Sequence, residues 1–189
     1  MTFTLFFDTE TTGFPMRKGF NSYYHPSMVN YYNSSRLIEI AYIICDEEKK
    51  IIKSVNNIIK PDSFKIENSH IHGITQKHAE YEGIDIKKAI KTLEDDIKDV
   101  NTMVAHNIMF DLNILISECY RIENKDVIKM INDKNHICTM DMGKNHLNLK
   151  KSPKLTELYK TLFNEEFTQT HRALSDSEAC MKCFYEMKK

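Results

Sequence analysis

Leu37–Cys45 reads L-I-E-I-A-Y-I-I-C, an apolar run interrupted only by Glu39. Side chains alternate sides along a strand, so a run that is apolar in both directions must be covered on both faces. Thr2–Phe7 is apolar and aromatic in the same way. Both are expected to be central strands of a sheet with helices on either side. Asp46–Lys50 is a polar turn, and Ile51–Ile59 reads as a third strand forming a hairpin with the second, ended by Pro61.

The rest of the chain alternates between two periods. Ile86, Ala89, Ile90, Leu93, Ile97 and Val100 recur every three or four residues and predict a helix over Asp85–Val100. Thr102–Ala105 is a short apolar strand. Phe110–Ile122 is helical, His136–Met140 is a short edge strand, Leu155–Leu162 is another helix, and Arg172–Met187 is the last. Helices between strands imply parallel crossovers. The expectation is an α/β fold with a five-stranded mixed sheet. With no repeat or linker in 189 residues, one domain over 1–189 is expected. The long aperiodic stretch at 14–35 stands out as an insertion, the kind of loop that is usually functional or mobile.

Composition excludes several classes. No run of 18 apolar residues is present, so no membrane span is expected, and no basic, apolar leader opens the sequence. Five cysteines without framework spacing fit a cytoplasmic or equivalent reducing intracellular compartment, and Cys180 and Cys183 read as helix packing. The five glycines make no phosphate-binding nest, so phosphates, if handled, need something else such as metal ions.

The net charge is −1, yet two windows contain no acid: Thr11–Ile38, with Arg17, Lys18 and Arg36, and Met142–Thr156, with Lys144, Lys150, Lys151 and Lys154. They read as local sites for an anionic partner or as solvated loops.

Acids also stand where core is expected. Asp8 and Glu10 end an apolar strand on one face, where two carboxylates repel unless a cation lies between them or the strand end is solvated. Asp176 tops the apolar stripe Cys180, Cys183, Phe184, Met187 of the last helix, with His171 about one turn before it. Asp111 lies near a helix start, where it is either a cap or a fourth carboxylate. Four carboxylates suit two hard dications, which can activate water and stabilise the leaving oxygen of a phosphodiester. A neighbouring histidine can take the water's proton.

These residues form a recognisable set. F-D-T-E-T-T-G at Phe7–Gly13, H-N-I-M-F-D at His106–Asp111 and H-R-A-L-S-D at His171–Asp176 resemble the three motifs of the DEDD exonuclease superfamily, in its histidine subclass. R-L-I-E-I-A at Arg36–Ala41 and I-H-G-I-T at Ile71–Thr75 are similar to the same family, which includes polymerase proofreading subunits. The resemblance covers Phe3–Cys183. It implies an RNase H-like fold and 3′→5′ hydrolysis of nucleic acid to nucleoside 5′-monophosphates. It implies that Asp8, Glu10, Asp111 and Asp176 bind two Mg²⁺ or Mn²⁺ ions and that His171 is the general base. Thr11, Phe14, His72, Asn107 and Phe110 match positions that hold the terminal nucleotide, with Phe14 in place of a more usual leucine.

The resemblance implies the 3′ end of DNA as substrate, with RNA as the alternative. A polymerase partner is compatible with it, though no residue identifies one. A non-catalytic nucleic-acid-binding module with the same fold is the competing reading. The 14–35 segment is longer than is usual in the family. Its Phe20, Tyr23, Tyr24, His25, Tyr31 and Tyr32, interleaved with Arg17 and Lys18, suit single-strand binding or a loop folded over the core.

Overall fold

The structure, a computed structural model, describes residues 2–19, 22–167 and 171–189. A five-stranded sheet is built from β1 (Phe3–Thr11), β4 (Leu37–Cys45), β5 (Ile51–Ile58), β6 (Val100–Ala105) and β7 (Asn135–Cys138), in the order β5-β4-β1-β6-β7. β1 and β4 are antiparallel, as are β4 and β5, whereas β1, β6 and β7 run parallel. A separate two-stranded ribbon joins β2 (Arg17–Gly19) to β3 (Ser22–Tyr23), followed by a 3₁₀ turn at Val29–Tyr32.

All nine residues of β4 are buried, including Glu39, as a central strand requires. β5 is the polar edge. On one side of the sheet, Leu5, Phe7 and Tyr42 pack with α3 (Ile86–Asp96), α4 (Ile108–Arg121) and α5 (Lys125–Asn132) through Leu93, Leu115 and Val127. On the other side, Phe6, Ile43 and Val104 meet Cys180 and Phe184 of α8 (Ala173–Glu186). The back of α8 packs on α7 (Leu155–Phe163) through Ala179, Cys183 and Met187. Cys180 and Cys183 thus serve two different packing layers. Burying each large apolar side chain contributes about 1.5–3 kcal/mol, so α8 is held firmly between sheet and helix.

Several boundaries differ from the sequence reading. The third helix stops at Asp96, and Val100 opens β6 instead of closing that helix. The edge strand ends at Cys138, because Thr139 begins α6 (Thr139–His146), and Met140 is helical. α1 (Ser69–His72), α2 (Gln76–Glu82), α5 and α6 are not among the elements expected from periodicity; each is eight residues or shorter. Among the described residues, no helix is long and apolar enough to cross a membrane.

Candidate active site

The site forms at the carboxyl ends of β1 and β6, the usual place for ligands in open α/β sheets. β1 extends to Thr11, so Asp8 and Glu10 lie within the strand and share a face with Phe6. Phe6 meets Phe184 of α8 edge-on, with ring centres 5.2 Å apart. The two acids therefore face the start of α8, where Asp176 is 4% exposed. Glu10, His171 and Asp176 each present a ligand atom, and these atoms lie within 4.8 Å of one another.

Asp111 reaches the cluster from the first turn of α4 and is 2% exposed. The Thr9 N–H and hydroxyl donate to its Oδ1 at 3.1 and 2.7 Å. Its carboxylate is therefore tied to β1 as well as to its own helix.

Glu39 and Arg172 have no role in the sequence reading. Glu39 stands opposite Glu10 across the β1–β4 ladder. Two like charges in that register repel. Arg172 offsets them: its Nε lies 3.0 and 3.1 Å from the two Glu39 oxygens, and its Nη2 is 2.5 Å from Oε1. The Ala173 N–H donates to Oε2 at 3.0 Å. One buried carboxylate thus holds both residues that follow His171, whose own backbone is left-handed at φ 49.

The electrostatics describe one shared field. Asp8 is held well above the usual carboxylate range, first by burial and then by Asp111, Asp176, Glu10 and Glu39. Glu10 is raised to about 8 by burial, with Asp176, Glu39 and Asp111 adding and Arg172 opposing. Burial lifts Asp111 to about 7, against the lowering effect of the Thr9 hydrogen bonds. Three acids that resist ionising, Asp8, Glu10 and Asp111, together with Asp176 form an oxygen-rich donor set that fits hard divalent cations, since added positive charge removes the repulsion.

The expected nucleotide-holding residues divide. Phe14 is 72% exposed, and its ring centre is 6.0 Å from that of half-buried Phe110. Asn107 begins α4 with a left-handed backbone at φ 69, and its side-chain amide donates to the Tyr23 hydroxyl oxygen. Thr11 turns onto its own loop, donating to Gly13 O at 2.7 Å. His72 is buried: its Nδ1 accepts from Ile74 N–H at 3.1 Å, leaving Nε2–H to donate to Glu67 O at 3.2 Å. Both ring nitrogens are thus used to hold the backbone.

The aromatic insertion divides as well. Tyr32 is fully buried and belongs to the main core cluster, while Tyr24 and Tyr31 stack on each other at 3.8 Å. Phe20 lies outside the described residues. A cleft of about 640 Å³ lined by Arg36, Phe64, Glu118 and Arg121 contains none of the four carboxylates.

A family model described as Exonuclease (RNase_T) matches residues 5–184. The chain belongs to this exonuclease family. Among solved structures, Escherichia coli Exonuclease I in complex with a dA16 oligonucleotide is 20% identical, with a TM-score of 0.74 over 100% of this chain and 41% of that one. The zinc-ion-bound E. coli Exonuclease I–ssDNA complex is 20% identical, with a TM-score of 0.73 over 99% and 40% of the respective chains. Exonuclease I from Methylocaldum szegediense is also 20% identical, with a TM-score of 0.75 over 99% and 40%. The exonuclease-family chain therefore spans about two fifths of the length of these structures, whose likeness establishes the RNase H-like fold. No curated protein matched it significantly.

Proposed function

We infer that this exonuclease-family chain is a 3′→5′ exonuclease that removes nucleoside 5′-monophosphates one at a time from the end of a nucleic acid. The observation that carries this reading is the convergence of Glu10, His171 and Asp176 within 4.8 Å, in the field shared by Asp8 and Asp111. The reading takes residues 1–189 as one domain with the 14–35 segment as an insertion.

Asp8, Glu10, Asp111 and Asp176 are the residues that would hold two divalent cations, Mg²⁺ or Mn²⁺. Such ions, when bound, supply Lewis acidity that acidifies water and steadies a leaving oxygen. His171 takes the proton of the attacking water. The water oxygen bonds to phosphorus, the bond from phosphorus to the 3′-oxygen breaks, and that oxygen leaves to be protonated as the new 3′-hydroxyl. Thr9 and the Glu39–Arg172 pair orient the acids and His171. Phe14, Phe110 and Asn107 hold the terminal nucleotide.

DNA is the favoured substrate, supported by the deoxyoligonucleotides bound to the Exonuclease I neighbours. RNA is the alternative. The test is degradation of 5′-labelled single-stranded DNA, duplex DNA and RNA with Mg²⁺ or Mn²⁺. The expected result is a ladder shortening from the 3′ end, fastest on single-stranded DNA, with 5′-monophosphates as product. Binding without release of any nucleotide would instead favour a non-catalytic module.

A further inference from the structure

The segment that leaves β1 returns to β4 at a closed stem. Thr12 N–H donates to Arg36 O at 3.0 Å, and Arg36 N–H donates to the Thr12 hydroxyl at 2.9 Å. Met16 N–H bonds Tyr31 O at 2.9 Å, and the Ser34 hydroxyl bonds Phe14 O at 2.8 Å. The strands of this stem approach so closely at Gly13 that a Cβ would stand 2.9 Å from Ser34 O. α4 anchors the segment from below. Arg121 donates to Val29 O at 2.6 Å and to Asn33 Oδ1 at 2.8 Å, and the Tyr32 hydroxyl reaches Asn113 Oδ1 at 3.3 Å. The outer ribbon is therefore mounted on a braced base.

Its outer side combines rings with cations. The Arg17 guanidinium lies 5.6 Å from the centre of the exposed Phe14 ring and 5.4 Å from that of Tyr23. The Lys18 ammonium lies 5.3 Å from the Tyr24 ring. A groove lined by Lys18, Tyr23, Tyr24, His25, Met109 and Asn113 runs between the ribbon and α4, and Met109 is 58% exposed. Tyr23 connects this groove to the candidate active site through Asn107, four residues before Asp111. No Asp or Glu occurs from Thr11 to Ile38, so the segment's formal charge is entirely positive beside a cluster of carboxylates. Ring faces accept unstacked bases and cations accept phosphates; a duplex, whose bases stack on each other, cannot use the rings.

We propose that the β2–β3 ribbon is a second binding site, which grips single-stranded nucleic acid upstream of its 3′ end. Arg17 and Lys18 take backbone phosphates, and bases lie along Tyr23 and the groove beside Met109. The strand direction rests on the exonuclease reading above; the binding itself does not.

The test compares wild type with Arg17→Ala/Lys18→Ala, both exposed positions. One arm measures binding of a 5′-labelled deoxythymidine oligomer of about 15 nucleotides, within the range of single-strand sites, in Ca²⁺ by fluorescence anisotropy. The other measures hydrolysis of the p-nitrophenyl ester of thymidine 5′-monophosphate, which is too short to reach the ribbon. The expected result is about tenfold weaker oligomer binding with a shallower salt dependence, and ester hydrolysis within about twofold of wild type. Unchanged oligomer affinity overturns the proposal, as does an equal loss on the ester. Competition by blunt duplex as effective as by single strand overturns it too. Should the wild type hydrolyse neither substrate yet lose oligomer binding on substitution, the exonuclease reading fails and the ribbon site stands.

Discussion

Glu39 and Arg172, 133 residues apart in sequence, form a multiply bonded ion pair beneath the candidate active site. Glu39 is completely buried, whereas the Arg172 side chain is 36% exposed. The pair fixes the start of α8 against β4 and so sets where His171 and Asp176 stand. Removing one partner of a buried pair costs about 3–5 kcal/mol, a figure reduced here by the solvent around Arg172. Glu39→Gln is expected to lower the thermal midpoint by a few degrees. It should reduce kcat about tenfold while leaving KM for a short substrate nearly unchanged, because Glu39 itself does not touch the substrate. A variant with a lower midpoint and wild-type kcat would make the pair structural only.

Asp8→Asn separates stability from function. The wild-type acid is destabilised by burial and by its carboxylate neighbours, so an uncharged amide of the same shape relieves the metal-free protein. In EDTA at pH 8 the variant is expected to melt at or above the wild-type temperature. Its gain in midpoint on adding Mg²⁺ should shrink sharply, and nuclease activity should fall to background. Melting curves with and without Mg²⁺, paired with a nuclease assay, check all three; a full Mg²⁺ gain would exclude Asp8 as a ligand.

The raised carboxylates also fix a pH dependence. Glu10 at about 8 and Asp111 at about 7 bind protons in the folded chain that the unfolded chain has already released. With more protons bound when folded, stability falls as pH rises, through the window from the ordinary carboxylate range up to about 8. Metal-free protein is therefore expected to lose melting temperature steadily from pH 5 to pH 8. Saturating Mg²⁺ should flatten the slope, since cation binding favours the ionised acids. Calorimetric scans across that range decide it; a midpoint that rises with pH in EDTA contradicts the shared field.

The second acid-free window also lies near the site. His106, just after β6, is kept neutral by burial, which lowers it to about 4. Its Nε2–H donates to Pro153 O at 3.1 Å. The exposed Lys150, Lys151 and Lys154 are thus held beside the carboxyl end of β6. Replacing all three by alanine is expected to weaken single-strand binding and to reduce the slope of log Kd against log salt by about 0.7 for each phosphate no longer neutralised. A salt titration with an unaltered slope would place these lysines off the nucleic-acid path.

Most of the framework is legible in the sequence because it rests on continuous apolar runs. β1, β4 and the stripe of α8 advertise burial over many residues, and Asp8, Glu10 and Asp176 are conspicuous against that background. What escapes is short or non-local. α6 begins immediately after β7, so Met140 reads as a continuation of the strand. α5 carries Val127, Ile128 and Ile131 on one buried face, a signal that is present but brief. Glu39 looks like an interruption in a strand because its partner lies far along the chain. Tyr32 resembles its neighbouring tyrosines, and only the packing of the 3₁₀ turn distinguishes a fully buried core ring from half-buried ones. Thr9 has no signature until Asp111 is brought beside it.

The stem joining Thr12 to Arg36 sets the ribbon outside the elements that carry the acids. The acids hang on β1, α4 and α8, and among the described residues the ribbon beyond the stem meets this framework at Asn107, through Tyr23, and along α4 at Met109 and Asn113. Residues at the ribbon's surface are therefore free to diverge, retuning which strands are retained and for how long, while the hydrolytic apparatus stays as it is.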